Sequence, residues 1–441
     1  MFTSCLFLGA FLFGSEDNLG NVSVVSEEDV YSFVNPNNGS GPLWSFGCTS
    51  IARLGERVFV SAMETGEGVP PLSNTRWRLL ERHKDGWRMV SEAKEYRQRE
   101  PCSLATVSDN RLFLYVNDSQ MPPGTHYGRC EPHLLFFDVS SPPFAWIKLM
   151  PYWGSQPTFT DHSYRGFAAD RNRGELLMLN IDAKTSIQHW CLLTRGALTL
   201  RNGSVSFPIR ACYPQVALKN RAGYILAIGD IVEPVEEWRK YKFEQTQREW
   251  DYVFRILYFT WTPDLMTQDF APPIEIANVD ATGGYITNQD LWIAPNGDAY
   301  IMYTERAVQS ELLRDRFFPG KSTISSLYLA VVRDGKIIER RVLIEGSASV
   351  EPGTARFHVA PKGNVWAVIY LGGPSPSNVL MQVYPAVSEK PVPIPLRAPF
   401  SNFCLATVRA GNRPSNTLDI LGTSTSDNTM SYAEVRLKTE G

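Results

Sequence analysis

The sequence predicts an all-β chain folded as a seven-bladed β-propeller of four-stranded antiparallel blades. Three observations predict it. A short pattern recurs seven times along the 441 residues: a few apolar residues, a small residue, a polar turn, then an apolar run. The copies are spaced by 46 to 77 residues, the length of a four-stranded blade rather than of a solenoid turn. The composition, 12% aromatic with 32 Gly and 30 Pro, suits many short strands joined by tight turns.

In order, the copies are TSIARLGERVFVSAM (49–63), CSLATVSDNRLFLYVN (102–117), SYRGFAADRNRGELLMLNI (163–181) and CYPQVALKNRAGYILAIGD (212–230). DLWIAPNGDAYIMYTE (290–305), ARFHVAPKGNVWAVIYL (355–371) and NFCLATVRAGNRPSNTLDILGT (402–423) follow. The small residues are Ala52, Ala105, Ala168, Ala217, Ala294, Ala360 and Ala406. Each copy reads as the inner hairpin of a blade, with its alanine on the crowded inner strand and an NG, KG, DN or RG pair in the turn. Runs between the copies, such as HLLFFDV (133–139), YVFRILYFTW (252–261) and SSLYLAVVRDGKIIERRVLI (325–344), read as outer strands.

NVSVVSEEDVYSFV (21–34) is expected to give the last blade its outer strand, tying the termini together and removing free sheet edges. The longest interval holds EPVEEWRKYKFEQTQREWD (233–251), which reads as a partly helical insertion on one face. No linker divides the chain, so residues 21–441 read as a single domain. Residues 1–20 read as a leader: Phe2 to Phe13 are apolar but too few to span a bilayer, and neither a basic start nor an A-x-A site is present. A secreted or periplasmic location is the expectation.

A net charge of −3 gives no basis for a nucleic-acid partner. No segment has the 18 apolar residues of a membrane span. The seven cysteines are scattered with no C-x-x-C pair, so neither a zinc cluster nor a disulfide framework is indicated, and no metal or cofactor is expected. Cys130 and His133 have C-x-x-H spacing without two further ligands. A monomer is expected.

A propeller gathers the residues that precede its inner strands around a central tunnel. Counting four to six back from each alanine gives Cys48, Arg99, Glu100, His162, Tyr164, Tyr213, Asp290, Arg356, Ser401 and Asn402 among the polar or reactive side chains. Arg165 and Arg210 flank the third and fourth sets, His126 sits in the loop MPPGTHYGR (121–129), and Trp44 could stack on a sugar. Imidazole or phenol can move a proton near neutral pH. A guanidinium can hold a carboxylate through two hydrogen bonds. Each residue also has a plainer role: tyrosines pack, arginines pair with acids, and His162 can bond across blades. His83, His189 and His358 read as structural.

HSYRGFAAD (162–170), CYPQVALKNRAGYILAIGD (212–230) and LWIAPNGDAYIMY (291–303) resemble blades of the sialidase-like and BNR-repeat propellers. The branch they resemble holds ulvan-type polysaccharide lyases and related rhamnosyl-glucuronate glycosidases. That resemblance implies His162 and Tyr213 as base and acid, with Arg210 or Arg165 neutralising a uronate carboxylate. Their places in the blades and loops make Arg165, Tyr164, Glu100, His126, Arg356, Asp290 and Trp44 the candidate substrate contacts. A second histidine common in those lyases has only His126 or His133 as counterparts. The Asp-box S-x-D-x-G-x-T-W is absent, with HKDGW (83–87) a distant echo.

The expectation is an exported enzyme acting on an acidic polysaccharide, as a lyase by β-elimination. A glycoside hydrolase on the same fold, with either a carboxylate pair, for which Glu100 and Asp290 are candidates, or a substrate-assisted histidine, is the first alternative. A non-catalytic propeller that binds a glycan or a protein is the second.

Overall fold

The computed structural model describes residues 22–44, 48–162, 164–424 and 428–438. The expected leader at 1–20 lies outside the described residues. Seven four-stranded antiparallel sheets form the ring. The inner strands are Ile51–Leu54, Ser103–Ser108, Gly166–Asp170, Ala211–Lys219, Tyr285–Ile293, Glu351–Val359 and Asn402–Leu405. The seventh blade takes its outer strand from the other end of the chain. Val22–Ser32 pairs antiparallel with Thr429–Leu437, from Val22 opposite Leu437 to Ser32 opposite Thr429.

The apolar runs read from the sequence become strands buried on both faces. The second strand of blade three, Glu175–Ile181, is buried at every position. Such a strand packs against two neighbouring sheets, so it shows no polar alternation. Ala105, Phe113 and Tyr115 of blade two share one cluster with Phe167, Met178 and Cys191 of blade three. The six described cysteines are buried.

The alanine alignment holds unevenly. Ala52, Ala105, Ala168 and Ala217 lie within inner strands and are buried. Ala294 and Ala360 lie just past theirs and open the turn, donating their N–H to the carbonyls of Asp298 and Asn364. Gly297 and Gly363 complete those turns at φ of +92° and +89°, where a side chain would be strained.

Blade seven departs furthest. Its inner strand stops at Leu405, and residues 406–416 cross into the tunnel. Thr106 donates to the Ala410 carbonyl and Ala169 to the Arg409 carbonyl, both at 2.8 Å. The Arg409 guanidinium donates to the Val216 carbonyl at 2.9 Å and pairs with Asp290. One loop thus bonds to blades two, three, four and five and fills the centre.

Asp290, expected at a substrate mouth, belongs instead to this plug. Its second oxygen accepts the Phe357 N–H at 2.7 Å. Breaking a buried ion pair of this kind costs about 3–5 kcal/mol, so the plug holds the ring's centre rigid.

Two helices stand on the rim where the inner strands begin. Glu236–Thr246 buries none of its residues, as its polar sequence requires. Its Trp238 packs edge-on against Phe318, beside the second helix Glu311–Phe317, with ring centroids 5.2 Å apart. Among the described residues, no helix is long and apolar enough to cross a membrane.

Candidate active site

Inner strands begin, and second strands end, on the same rim, because the two run antiparallel. A cleft of about 570 Å³ opens there over blades three and four. His162, Tyr164, Arg210 and Tyr213 line it, joined by Tyr127, Asp182, Asp230, Trp250, Tyr252 and Phe254.

Two tyrosines form its floor in strained backbone. Tyr164 has φ of +35° and Tyr213 +51°, a region that bulky residues avoid. The ladder between the first two strands of blade four shifts between Cys212 and Gln215, so Tyr213 and Pro214 bulge out of register. The bulge aims Tyr213 at its neighbour blade, and the two rings meet edge-to-face at 4.7 Å.

The Tyr213 hydroxyl is placed against Tyr164, and Tyr164 against the Asp230 carboxylate, so that each shifts the other's titration. Burial is the main reason both phenols sit well above their ordinary pKa, so both stay protonated. Burial likewise raises Asp230, against the pull of Arg210. Arg210 lies 3.4 Å from the Asp230 carboxylate and over the rings of Tyr164 and Tyr252. Burial and a chain of polar groups together make a path along which protons can move.

His162 is held from behind. The Arg99 guanidinium contacts its Nδ1, while Tyr127 stacks on the ring at 5.2 Å. A guanidinium only donates, so Nδ1 must accept and the ring proton belongs on Nε2. Burial first, then the charges of Arg99 and Arg210, push the imidazole down to about 3. At neutral pH His162 is therefore an uncharged ring whose lone pair is already used. It can offer an Nε2–H.

Of the other sequence candidates, Trp44, Glu100 and Arg165 line an adjoining pocket with Tyr164 and Tyr213, while Arg356, His126 and His133 line neither cavity. Arg165 is buried and donates to the carbonyls of Tyr115 and Pro101, both at 2.8 Å, pinning blade two to blade three. Glu100 is buried 3.9 Å from both Arg99 and Arg165. Arg356 donates to the carbonyls of Gln289 and Ala355, at 2.6 and 2.9 Å. His126 is exposed on the loop beyond Tyr127. Trp44 is half-buried with its ring edge-to-face on Tyr213 at 5.7 Å, a wall rather than an open platform. His133 sits 3.6 Å from Asp118, its Nδ1 at the Glu131 carbonyl.

Counting back from the alanines missed Asp182 and Asp230, because it considered only the starts of inner strands. Both acids close a second strand, in LNID and AIGD, and that shared ending was the available signal. Tyr127 and Trp250 come from long loops with no repeat to mark them.

Asp161, next to His162, is buried and neither carboxylate oxygen meets a side-chain donor. Burial raises it to about 6. An acid raised in this way favours the folded state most below the ordinary carboxylate range, and that advantage is lost as pH climbs through about 6. Asp161→Asn is expected to add about 1–3 kcal/mol of stability at pH 8 and almost nothing at pH 4. Urea unfolding at both pH values checks this; an equal effect at both would show that the charge is not the cause.

No family model matches the chain, and no curated protein matches it. Solved structures do. An ulvan lyase of polysaccharide lyase family PL25, bound to -[GlcA(1-4)Rha3S]-, superposes with a TM-score of 0.56 at 10% identity, covering 96% of each chain. A second structure of a PL25 ulvan lyase gives 0.55 at 10% identity, again over 96% of each chain. The polysaccharide lyase Uly1 gives 0.52 at 9% identity, over 96% of this chain and all of that one. At such identities the likeness is one of fold.

Proposed function

We propose that the chain is a carbohydrate-active enzyme that cleaves an acidic polysaccharide by β-elimination at a uronate. The hydroxyl chain Tyr213–Tyr164–Asp230, beside Arg210 and the Nε2–H of His162, is the observation that carries this reading. Elimination needs a group to take the C5 proton, a cation or donor to hold the carboxylate as charge builds on it, and an acid for the leaving oxygen.

Arg210 and the His162 Nε2–H take the carboxylate. The Tyr213 oxygen accepts the C5 proton as its own proton passes through Tyr164 to Asp230. The C4–C5 double bond forms, the C4–O bond breaks, and the proton returns along the chain to the departing oxygen. Tyr127 and Trp250, both exposed, supply apolar faces on which sugar rings stack. Of the two bases the sequence leaves open, His162 and Tyr213, this assigns the base's part to Tyr213 and a donor's part to His162. Export is part of the proposal and rests on the apolar segment Phe2 to Phe13.

A hydrolase of the two-carboxylate kind needs both carboxyl groups facing one glycosidic bond. Glu100 and Asp290 are each held in buried ion pairs. Asp182 shares the cleft with Asp230, but it accepts the N–H groups of Thr158, Lys184 and Thr185 at 2.6 to 2.9 Å. The lyase reading is therefore preferred.

Incubation with a panel of uronate-containing glycans should yield an unsaturated product that absorbs in the ultraviolet. New reducing ends without that absorbance would replace the lyase with a hydrolase. Neither product across the panel would reject both.

A further inference from the structure

The turns between first and second strands, and between third and fourth, meet on the face opposite the cleft. Over blades two and three they enclose a second cleft of about 510 Å³, lined by Arg111, Arg171, Arg173 and Arg195. Charge there is not balanced. Asp109 is shared by Arg171 and Arg413, and Glu175 by Arg173 and Arg221. Among the described residues no carboxylate lies within ion-pair distance of Arg111 or Arg195.

Of these two, Arg111, whose charge also reaches Asp138 across the strand pair, is held in place, while the Arg195 side chain is exposed. Arg111 lies over the Phe136 ring at 5.5 Å and donates to the Arg195 carbonyl at 3.2 Å. In a chain whose net charge is negative, this concentrates positive charge at one place. A planar guanidinium fork matches the oxygens of a sulfate or carboxylate, and one already fixed, as Arg111 is, loses little freedom on binding one.

We propose that this cleft is a second, non-catalytic anion site that holds a sulfate or carboxylate group of an acidic glycan chain. The glycan as ligand rests on the function proposed above; the anion site rests on the arginines alone. Held there, a polymer would stay near the enzyme while another stretch of it reached the catalytic cleft, raising its effective concentration.

The test measures binding of a sulfated dextran oligosaccharide, by calorimetry at several salt concentrations, to the wild-type chain, the double variant Arg111→Ala/Arg195→Ala, and Tyr213→Phe. The double variant should bind about tenfold more weakly, with a shallower dependence on salt, because two charge contacts are lost. Tyr213→Phe should bind as the wild type does. Equal affinity in wild type and double variant would overturn the site. Inorganic sulfate binding the wild-type cleft as tightly as the oligosaccharide would overturn the glycan assignment, leaving a site for a free oxyanion. Since binding is read without turnover, failure of the lyase reaction and failure of this site give separate results.

Discussion

Tyr213→Phe is expected to lower kcat on a cleavable uronate glycan by about 10²–10⁴-fold, the usual worth of a positioned proton-transfer group. The phenyl ring keeps its packing against Trp44, Tyr164 and Phe254. What disappears is the hydroxyl at the head of the chain to Tyr164 and Asp230. Because the ring and the carboxylate-holding groups remain, KM should stay near the wild-type value while kcat falls, the signature of an interaction made in the transition state.

The backbone sharpens the expectation. A tyrosine at φ of +51° ahead of a proline is costly, and the strain is sustained only because the bulge and Pro214 fix it. A residue kept there only for packing would lose nothing by relaxing into the ladder. If Tyr213→Phe keeps activity within a few-fold while its unfolding midpoint is unchanged, the hydroxyl is not the proton carrier and the mechanism fails.

Arg99→Met has the second large effect, of a different kind. Arg99 reaches no substrate in this scheme; it positions His162. Its loss frees Nδ1, lets the ring flip or change tautomer, and removes the nearest positive charge. Misplacing one group that holds the reacting carboxylate costs about 10²-fold.

The pH profile separates positioning from general damage. In the wild type His162 is held down to about 3 and stays neutral throughout the working range. In Arg99→Met its pKa should rise from about 3 yet stay below the ordinary value of about 6.5, because burial, the largest cause, and Arg210 remain, and a new acid limb should appear in kcat/KM above the wild-type position. Arg99→Lys, which retains a donor and a charge, should recover part of the rate and suppress the new limb. A uniform loss of rate at every pH, with no rescue by lysine, would assign Arg99 a purely structural part. That outcome has a physical basis to test against, since Arg99 also donates to the Asn38 carbonyl at 3.0 Å.

The ring, its blade count and its closure were all legible in the chain. A strand buried on both faces must be apolar throughout, and a tight turn needs residues that tolerate unusual φ. Both requirements leave marks that repeat seven times. The N-terminal strand was legible because an unpartnered alternating segment at one end must cover an edge somewhere. His162, Tyr164, Arg210 and Tyr213 were found because strand starts converge by topology.

Only the tertiary structure decided which polar residues face solvent and which face one another. Asp290 and Arg356 stand at the same repeat position as Tyr164 and Tyr213, and Arg165 directly follows Tyr164, yet carbonyls and the Arg409 plug claim them. The Arg99 contact that fixes the proton on His162 joins residues 63 apart. A repeat pattern records what each blade requires of itself. Hydrogen bonds between blades depend on angles and distances across the ring, and no local spacing encodes them.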